Sequence, residues 1–296
     1  MTPGLSLRDD AAAWLARGRP AMLVEVVRTQ GSAPREAGTR MLVGHEEVLG
    51  TIGGGHLEWQ AIAVAREGLA RSGQAHGSTA PREQRFALGP SLGQCCGGQV
   101  WLRWSPLDAE ALTAWPPQPP RWQLQLFGAG HVGRAIVRLL EGLPCEVRWI
   151  DERAEQFPPQ PLAPHVHRVC GQTAGDALAR GADLAAEVVA EVAAAPAGAA
   201  YLVATHSHEL DLALARAILD RGDFGWFGLI GSATKRARFE RRLAAWGIAE
   251  ARIARMACPI GLPGIVGKAP EVIAVSVVAQ LLMPPPLGAT APSPLA

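Results

Sequence analysis

Phe127-Gly128-Ala129-Gly130-His131-Val132-Gly133-Arg134-Ala135-Ile136 decides the fold of the larger part of this chain. The apolar run over 122–127 reads as a strand, and the glycines follow it at once. Val132, Ala135, Ile136, Leu139 and Leu140 then recur at helical spacing, with Gly142 placed to stop the helix. A second strand over 146–150 ends at Asp151, about where a dinucleotide fingerprint carries its ribose-binding acid. Strand, turn, helix and acid in this order predict a Rossmann-like, doubly wound parallel sheet. Such a sheet hosts many ligands, so the pattern predicts a crevice and leaves its occupant open.

Working outward from that turn, strands are expected at 166–170, 201–205 and 226–230, with helices between them. The ligand crevice lies at the carboxyl ends of such strands. Two polar groups fall there, Thr205-His206-Ser207-His208 and Gly231-Ser232-Ala233-Thr234-Lys235. Histidines at i and i+2 point in different directions, so the expectation is that one of His206 and His208 meets a ligand and the other caps the helix that follows. Ser232 and Lys235 stand near a helix start, where Lys235 is a candidate phosphate contact. The basic run from Lys235 to Arg242 otherwise reads as a solvated helix face. Cys145 and Cys170, on or beside apolar strand patterns, read as core fillers. The domain is assigned to 122–283, and the Pro- and Ala-rich residues 284–296 read as a disordered tail.

Upstream, residues 105–121 hold five prolines, and the segment reads as a semi-rigid extended linker. Residues 1–104 form a smaller α+β domain: a helix over 9–17, a strand over 22–27, a hairpin over 40–52, a helix running to about 71, a surface loop over 73–85, and short strands at 86–88 and 99–104. Two of its stretches carry chemistry. Gly53-Gly54-Gly55-His56-Leu57-Glu58 opens a helix with three glycines, whose amides suit an anion; the plainer reading is a sharp turn, with Glu58 complementing the helix dipole. Gly93-Gln94-Cys95-Cys96-Gly97-Gly98 places two adjacent thiols among glycines, which leaves room for a large group beside both sulfurs; the plainer reading is a tight turn with small apolar fillers. Arg35, in Gly31-Ser32-Ala33-Pro34-Arg35, is placed to face a ligand from a strand end or to lie in a solvated connection.

The chain has 296 residues, with 48% hydrophobic and 19% charged side chains and a formal net charge of +1. That is enough apolar material for two cores. A near-neutral balance provides no field to gather nucleic acid or an anionic membrane. No apolar run approaches the roughly 20 residues that span a bilayer. Five cysteines and an opening stretch without the layout of a signal peptide predict a cytoplasmic protein with free thiols.

With these residues read, the chain resembles the XdhC/CoxI family of xanthine dehydrogenase accessory proteins. The resemblance rests on Gly31 to Arg35, Gly50-Thr51-Ile52-Gly53-Gly54-Gly55-His56-Leu57-Glu58, Gln94 to Gly98, Gly128 to Gly133, Thr205 to His208 and Pro259-Ile260-Gly261-Leu262. It implies a chaperone for the molybdenum cofactor. Such a protein binds molybdopterin-bound molybdenum, holds it while a cysteine desulfurase supplies the terminal sulfur, and delivers it to apo xanthine dehydrogenase, without being an enzyme in its own right. The residues expected to face that cofactor are Cys95 and Cys96, which also stand as molybdenum contacts, with Arg35, Gly53, Gly54, Gly55, His56 and Glu58 beside them. From the second domain come Gly128, Gly130, His131, Gly133, Asp151, His206, His208, Ser232 and Lys235. A second copy of the chain is left open as a further partner.

Two other readings use parts of the same sequence. Gly128 to Gly133 with Asp151 suit an NAD(P)-dependent oxidoreductase, with His206 or His208 beside the nicotinamide, but leave the cysteine loop unexplained. A thiol redox protein cycling Cys95 and Cys96 through a vicinal disulfide leaves the triple glycine unused.

Overall fold

The computed structural model describes residues 7–72, 81–88, 97–115, 120, 122–170 and 184–283. The chain divides into two compact units, Met1–Pro119 and Pro120–Ala296.

The first unit opens with α1 (Leu7–Ala16), β1 (Met22–Gln30), β2 (Arg40–Val43) and β3 (Val48–Gly50). It continues through α2 (Gly55–Ser72), β4 (Arg82–Ala87), β5 (Gln99–Pro106) and α3 (Ala109–Thr113). The strands form an antiparallel sheet in the order β3-β2-β1-β5-β4. Alternation along β1 and β5 sends Val24, Val26, Val100 and Leu102 to the face covered by Leu57, Ala61 and Ala65 of α2. Trp104 joins that core and donates its indole N–H to the Ala61 carbonyl at 3.0 Å. Leu23 and Leu42 point the other way, onto Ala11 and Trp14 of α1.

Two expectations are corrected here. Residues 82–85, expected in a surface loop, belong to β4. It is an edge strand with Phe86 buried and Arg82, Glu83 and Arg85 facing outward or partly so, and a strand solvated along an edge lacks the apolar signature of a central one. The expected linker over 105–121 begins inside the first unit: β5 continues through Pro106, Asp108 caps α3 by accepting from the Ala111 amide at 2.7 Å, and Trp115 is buried with Trp14. Pro106 is the last residue of its strand and lies past the end of β4, whose pairing with β5 stops at Trp104.

The second unit runs β6 (Gln123–Phe127), α4 (His131–Leu140), β7 (Glu146–Asp151), β8 (Val166–Cys170), α5 (Leu184–Ala194), β9 (Ala200–Val203) and α6 (His208–Arg221). Then come β10 (Trp226–Leu229), α7 (Ala233–Ala245), α8 (Glu250–Ile253), β11 (Met256–Ala257) and α9 (Pro270–Leu282). Its six strands are parallel, in the order β11-β10-β9-β6-β7-β8. Side chains of α4 and α9 cover Leu124, Leu126 and Trp149 on one face. Side chains of α5, α6 and α7 cover Phe127, Ile150, Tyr201 and Val203 on the other. The strand order reverses between β6 and β9, which makes the end of β6 the switch point of the sheet. Cys145 is buried, and burial beside Glu146 pushes its thiol up to about 12. Cys170, expected in the core, is exposed because β8 is an edge strand. Among the described residues no helix is long and apolar enough to cross a membrane.

Candidate functional site

In the first unit, three loops converge. A side chain at Gly98 would lie 2.3 Å from the Ser32 carbonyl oxygen and 2.7 Å from that of Gln30. Residue 98 therefore lies directly on the loop that leaves β1. That loop in turn reaches the triple glycine, because a Cβ at Gly53 would meet Pro34 Cβ at 2.6 Å and Cγ at 2.7 Å. Gly53, Gly54 and Gly55 all have positive φ, which keeps this turn closed to other residue types. Cys95 and Cys96 lie outside the described residues. Among the described residues, nothing lies within 4 Å of a Cβ added at Gly97, which follows Cys96 in the sequence, or at Gly54.

The anion site expected at the triple glycine is largely filled from within. Glu58 accepts from the amides of Ile52 and Gly54, each at 3.0 Å, and from the Thr51 hydroxyl, while Thr51 Oγ1 accepts from the Gly53 amide at 3.1 Å. Glu58 is thus spent on its own loop, where a negative charge also complements the start of α2. His56 is exposed, accompanied by Gln60 at 2.9 Å, and stacks on the exposed ring of Trp59 at 5.5 Å. Arg35 is exposed at the rim.

In the second unit, the glycine turn after β6 lies against the carboxyl end of β9. A Cβ on Gly128 would strike the Ala204 carbonyl oxygen at 2.2 Å, and one on Gly133 would strike the Gly128 oxygen at 2.2 Å, so the turn is drawn tight on both sides. Gly130 is the N-cap of α4 and has no side chain to satisfy the first amides, while His131 is exposed beside it. By contrast α6 is capped by Ser207, which accepts from the Leu210 amide, and α7 by Ser232, which accepts from that of Lys235.

Several expected ligand contacts are already engaged. Asp151 is buried, and its carboxylate accepts from the Ala129 amide at 2.7 Å and from Arg153 through its amide at 2.9 Å, Nε at 3.0 Å and Nη2 at 3.0 Å. Burial alone would push this carboxyl up, but the Arg153 side chain and the two amides hold it below its ordinary value. Four donors fill the acceptor positions a ribose would use. Arg134 braces the turn from the other side, donating from Nε to the carbonyls of Ala129 at 3.0 Å and Gln156 at 2.9 Å. Lys235 donates from Nζ to Asp211 at 2.5 Å and to the Ile230 carbonyl at 2.8 Å, and Asp211 also accepts from the Thr205 hydroxyl at 2.7 Å. Asp211 is buried and Lys235 mostly so, and the pair holds the loops after β9 and β10 together, which leaves Lys235 engaged rather than free for a phosphate. His208 is exposed and leaves the capping to Ser207. His206 Nε2 lies 3.5 Å from Glu152 Oε1.

Cys258 is buried beside this network. Burial pushes its thiol up, against the pull of Lys235 and Arg236, so it stays protonated. Among the described residues, no group of three or more His, Cys, Asp and Glu side chains is arranged to hold a metal ion. Glu152, Arg153, Asp211 and Arg134 were not singled out in the sequence. An Arg two residues after a strand-end Asp was the one local signal available; Gln156, which Arg134 reaches, and Lys235, which reaches Asp211, lie more than 20 residues away in the chain.

Comparison with known proteins bears on the fold and the family. Residues 124–281 match the XdhC Rossmann domain, and residues 14–78 match the XdhC and CoxI family. Protein YqeB of Escherichia coli K12, itself uncharacterized, is 27% identical over 283 residues, which is 94% of this chain and 46% of that protein. The chain thus spans about half the length of this curated relative. A Bacillus halodurans protein, whose crystal structure is described as that of a xanthine dehydrogenase, matches with a TM-score of 0.70 at 18% identity, over 93% of this chain and 94% of its own. That likeness is one of fold. With a match running from β6 to α9 and a second one across α1 to α2, the chain belongs to the XdhC and CoxI family.

Proposed function

We propose that the protein serves xanthine dehydrogenase maturation by binding the molybdenum cofactor as cargo, holding it while a cysteine desulfurase supplies the terminal sulfur, and passing it to the apoenzyme. The observation that carries this reading is the convergence in the first unit. Gly98 sits on the Ser32 loop, Pro34 sits on Gly53, and no described residue comes within 4 Å of a Cβ added at Gly97 or Gly54. Both glycine turns thus touch the one loop over Ser32 to Pro34, and Gly97 follows Cys95 and Cys96 directly in the sequence. A pterin dithiolene with its metal needs close backbone approach and soft ligands, and this set supplies the first in the described residues and the second in the adjoining sequence. The cargo brings the molybdenum centre that the recipient enzyme uses. This chain's residues bind it, orient it and exclude water from it.

The dehydrogenase reading is the weaker one, because Asp151 is saturated by Ala129 and Arg153 and has no acceptor position left for a ribose diol. The test is metal and pterin analysis of protein purified anaerobically from a host that makes the cofactor. Near-equimolar molybdenum and pterin are expected, with Cys95→Ala and Cys96→Ala losing retention or delivery to apo xanthine dehydrogenase while melting within a few degrees of the wild type. Absence of pterin under saturating supply sinks the proposal, as does full reconstitution by both variants.

A further inference from the structure

The helical layer formed by α5, α6 and α7 carries a surface groove of about 530 Å³ that the candidate site does not use. Its floor is α6. Along that helix Glu209, Ala213, Arg216, Ala217 and Asp220 recur at spacings of three and four and line the groove as one stripe, while Leu214, Ala215 and Ile218 between them are buried in the core. Ala213 and Ala217 keep the floor low. Val189 of α5 and, from the end of α7, Arg242 and Trp246 complete the lining. From Glu209 to Asp220 the floor runs for about 16 Å, or three helical turns.

Trp246 is 41% exposed, yet its ring is held between charges, with the guanidinium carbons of Arg216 and Arg242 at 5.0 and 5.4 Å from its centroid. The basic residues around it are unevenly engaged. Arg216 lies 3.5 Å from Asp220, Arg236 is paired with Glu240, and Lys235 with Asp211. Arg242, and Arg238 one turn before it, are exposed and meet no carboxylate among the described residues. The groove therefore has a cationic end at Trp246, while the carboxylate of Glu209 stands two turns of α6 before Arg216.

We propose that this groove docks an acidic, amphipathic helix of a protein partner, about three turns long, with its apolar side on Ala213, Ala217 and Trp246 and its carboxylates at Arg242 and Arg238. A straight trough with a small-residue floor between helices accepts another helix as a ridge enters a groove. The two arginines without counter-ions select an acidic one. A nucleic-acid strand would also use the indole and the guanidiniums, but its phosphates would meet Glu209 along the floor. The assignment goes beyond the cofactor reading and does not depend on it.

The probe is a synthetic helical peptide of about twelve residues, with glutamates on one side and leucines on the other. It is titrated into the full chain while the indole N–H of Trp246 is followed by NMR, with Trp246→Phe to assign the signal. That signal should move saturably. Trp246→Ala should weaken binding about tenfold or more, and either Arg242→Gln or a peptide with glutamine for glutamate about two- to fivefold. Ala213→Arg should also weaken it, because bulk closes the floor, whereas a merely electrostatic attraction would grow stronger. Melting temperatures should stay within a few degrees of the wild type, since these positions lie at the surface. A peptide that leaves the Trp246 signal static, or binds wild type, Trp246→Ala and Ala213→Arg equally, overturns the proposal. So does a single-stranded oligonucleotide of similar length that displaces the peptide and binds more tightly.

Discussion

Gly97 and Gly98 are neighbours with opposite surroundings. At Gly98 a methyl group would collide with two backbone carbonyl oxygens, which cannot rotate away as a side chain would, whereas at Gly97 it would meet no described residue within 4 Å. Gly98→Ala should therefore cost about 1–3 kcal/mol of stability, the scale of an overpacked core. Gly97→Ala should stay within about 0.5 kcal/mol of the wild type. Urea midpoints for the two variants check this, and equal midpoints would mean that the Ser32 loop is not seated on residue 98. If cargo is received at Gly97, Gly97→Ala should lower cofactor content without lowering the midpoint. At this scale the sequence was readable only in part. The glycines announced close approach, but what approaches them, Ser32 at one turn and Pro34 at the other, lies more than 15 residues away along the chain.

The junction of β7 with the β6–α4 turn is where element-level reading met its limit. Strand, glycine turn and helix over 123–140 were legible because apolar residues at spacing 2 and then 3.6 leave few alternatives. The duty of Asp151 was not, since a carboxylate at a strand end looks the same whether it accepts from a ribose or from the amide of Ala129. Lys235 misled in the same way, its partner Asp211 lying one helix earlier. Residues 82–85 and 109–115 were missed because an edge strand is charged and a proline-rich context hides a five-residue helix.

The junction also sets a pH dependence. Asp151 has a folded pKa below its ordinary value of 3.8, so its stabilising contribution is present above that pH and is lost as pH falls through the folded value. Asp151→Asn should cost about 1.5–3 kcal/mol at pH 7. The gap between the variant and the wild type should narrow below about pH 3.8, as measured by urea unfolding at both pH values. A gap that stays constant into acid would show that the carboxylate's charge is not what staples the turn.

Among the described residues, the four apolar clusters divide along the chain. Two draw only on residues up to Trp115 and two only on residues from Trp122 onward. A protein comprising residues 120–296 should therefore fold alone and unfold in one cooperative transition. Calorimetry of that fragment checks this; a broad, non-cooperative melt would mean that its core depends on the first unit.

The strand order of the first unit carries a consequence for its biosynthesis. β4 pairs with β5 alone, and β5 is the last strand of its sheet to be made. As the chain leaves the ribosome, β4 waits without a partner, and α1 waits for Trp115, until residues 99–115 have emerged. Only then does the sheet close, and at about 5–20 residues per second the cysteine segment between β4 and β5 has been secured at both ends roughly ten to thirty-five seconds before the second unit is complete.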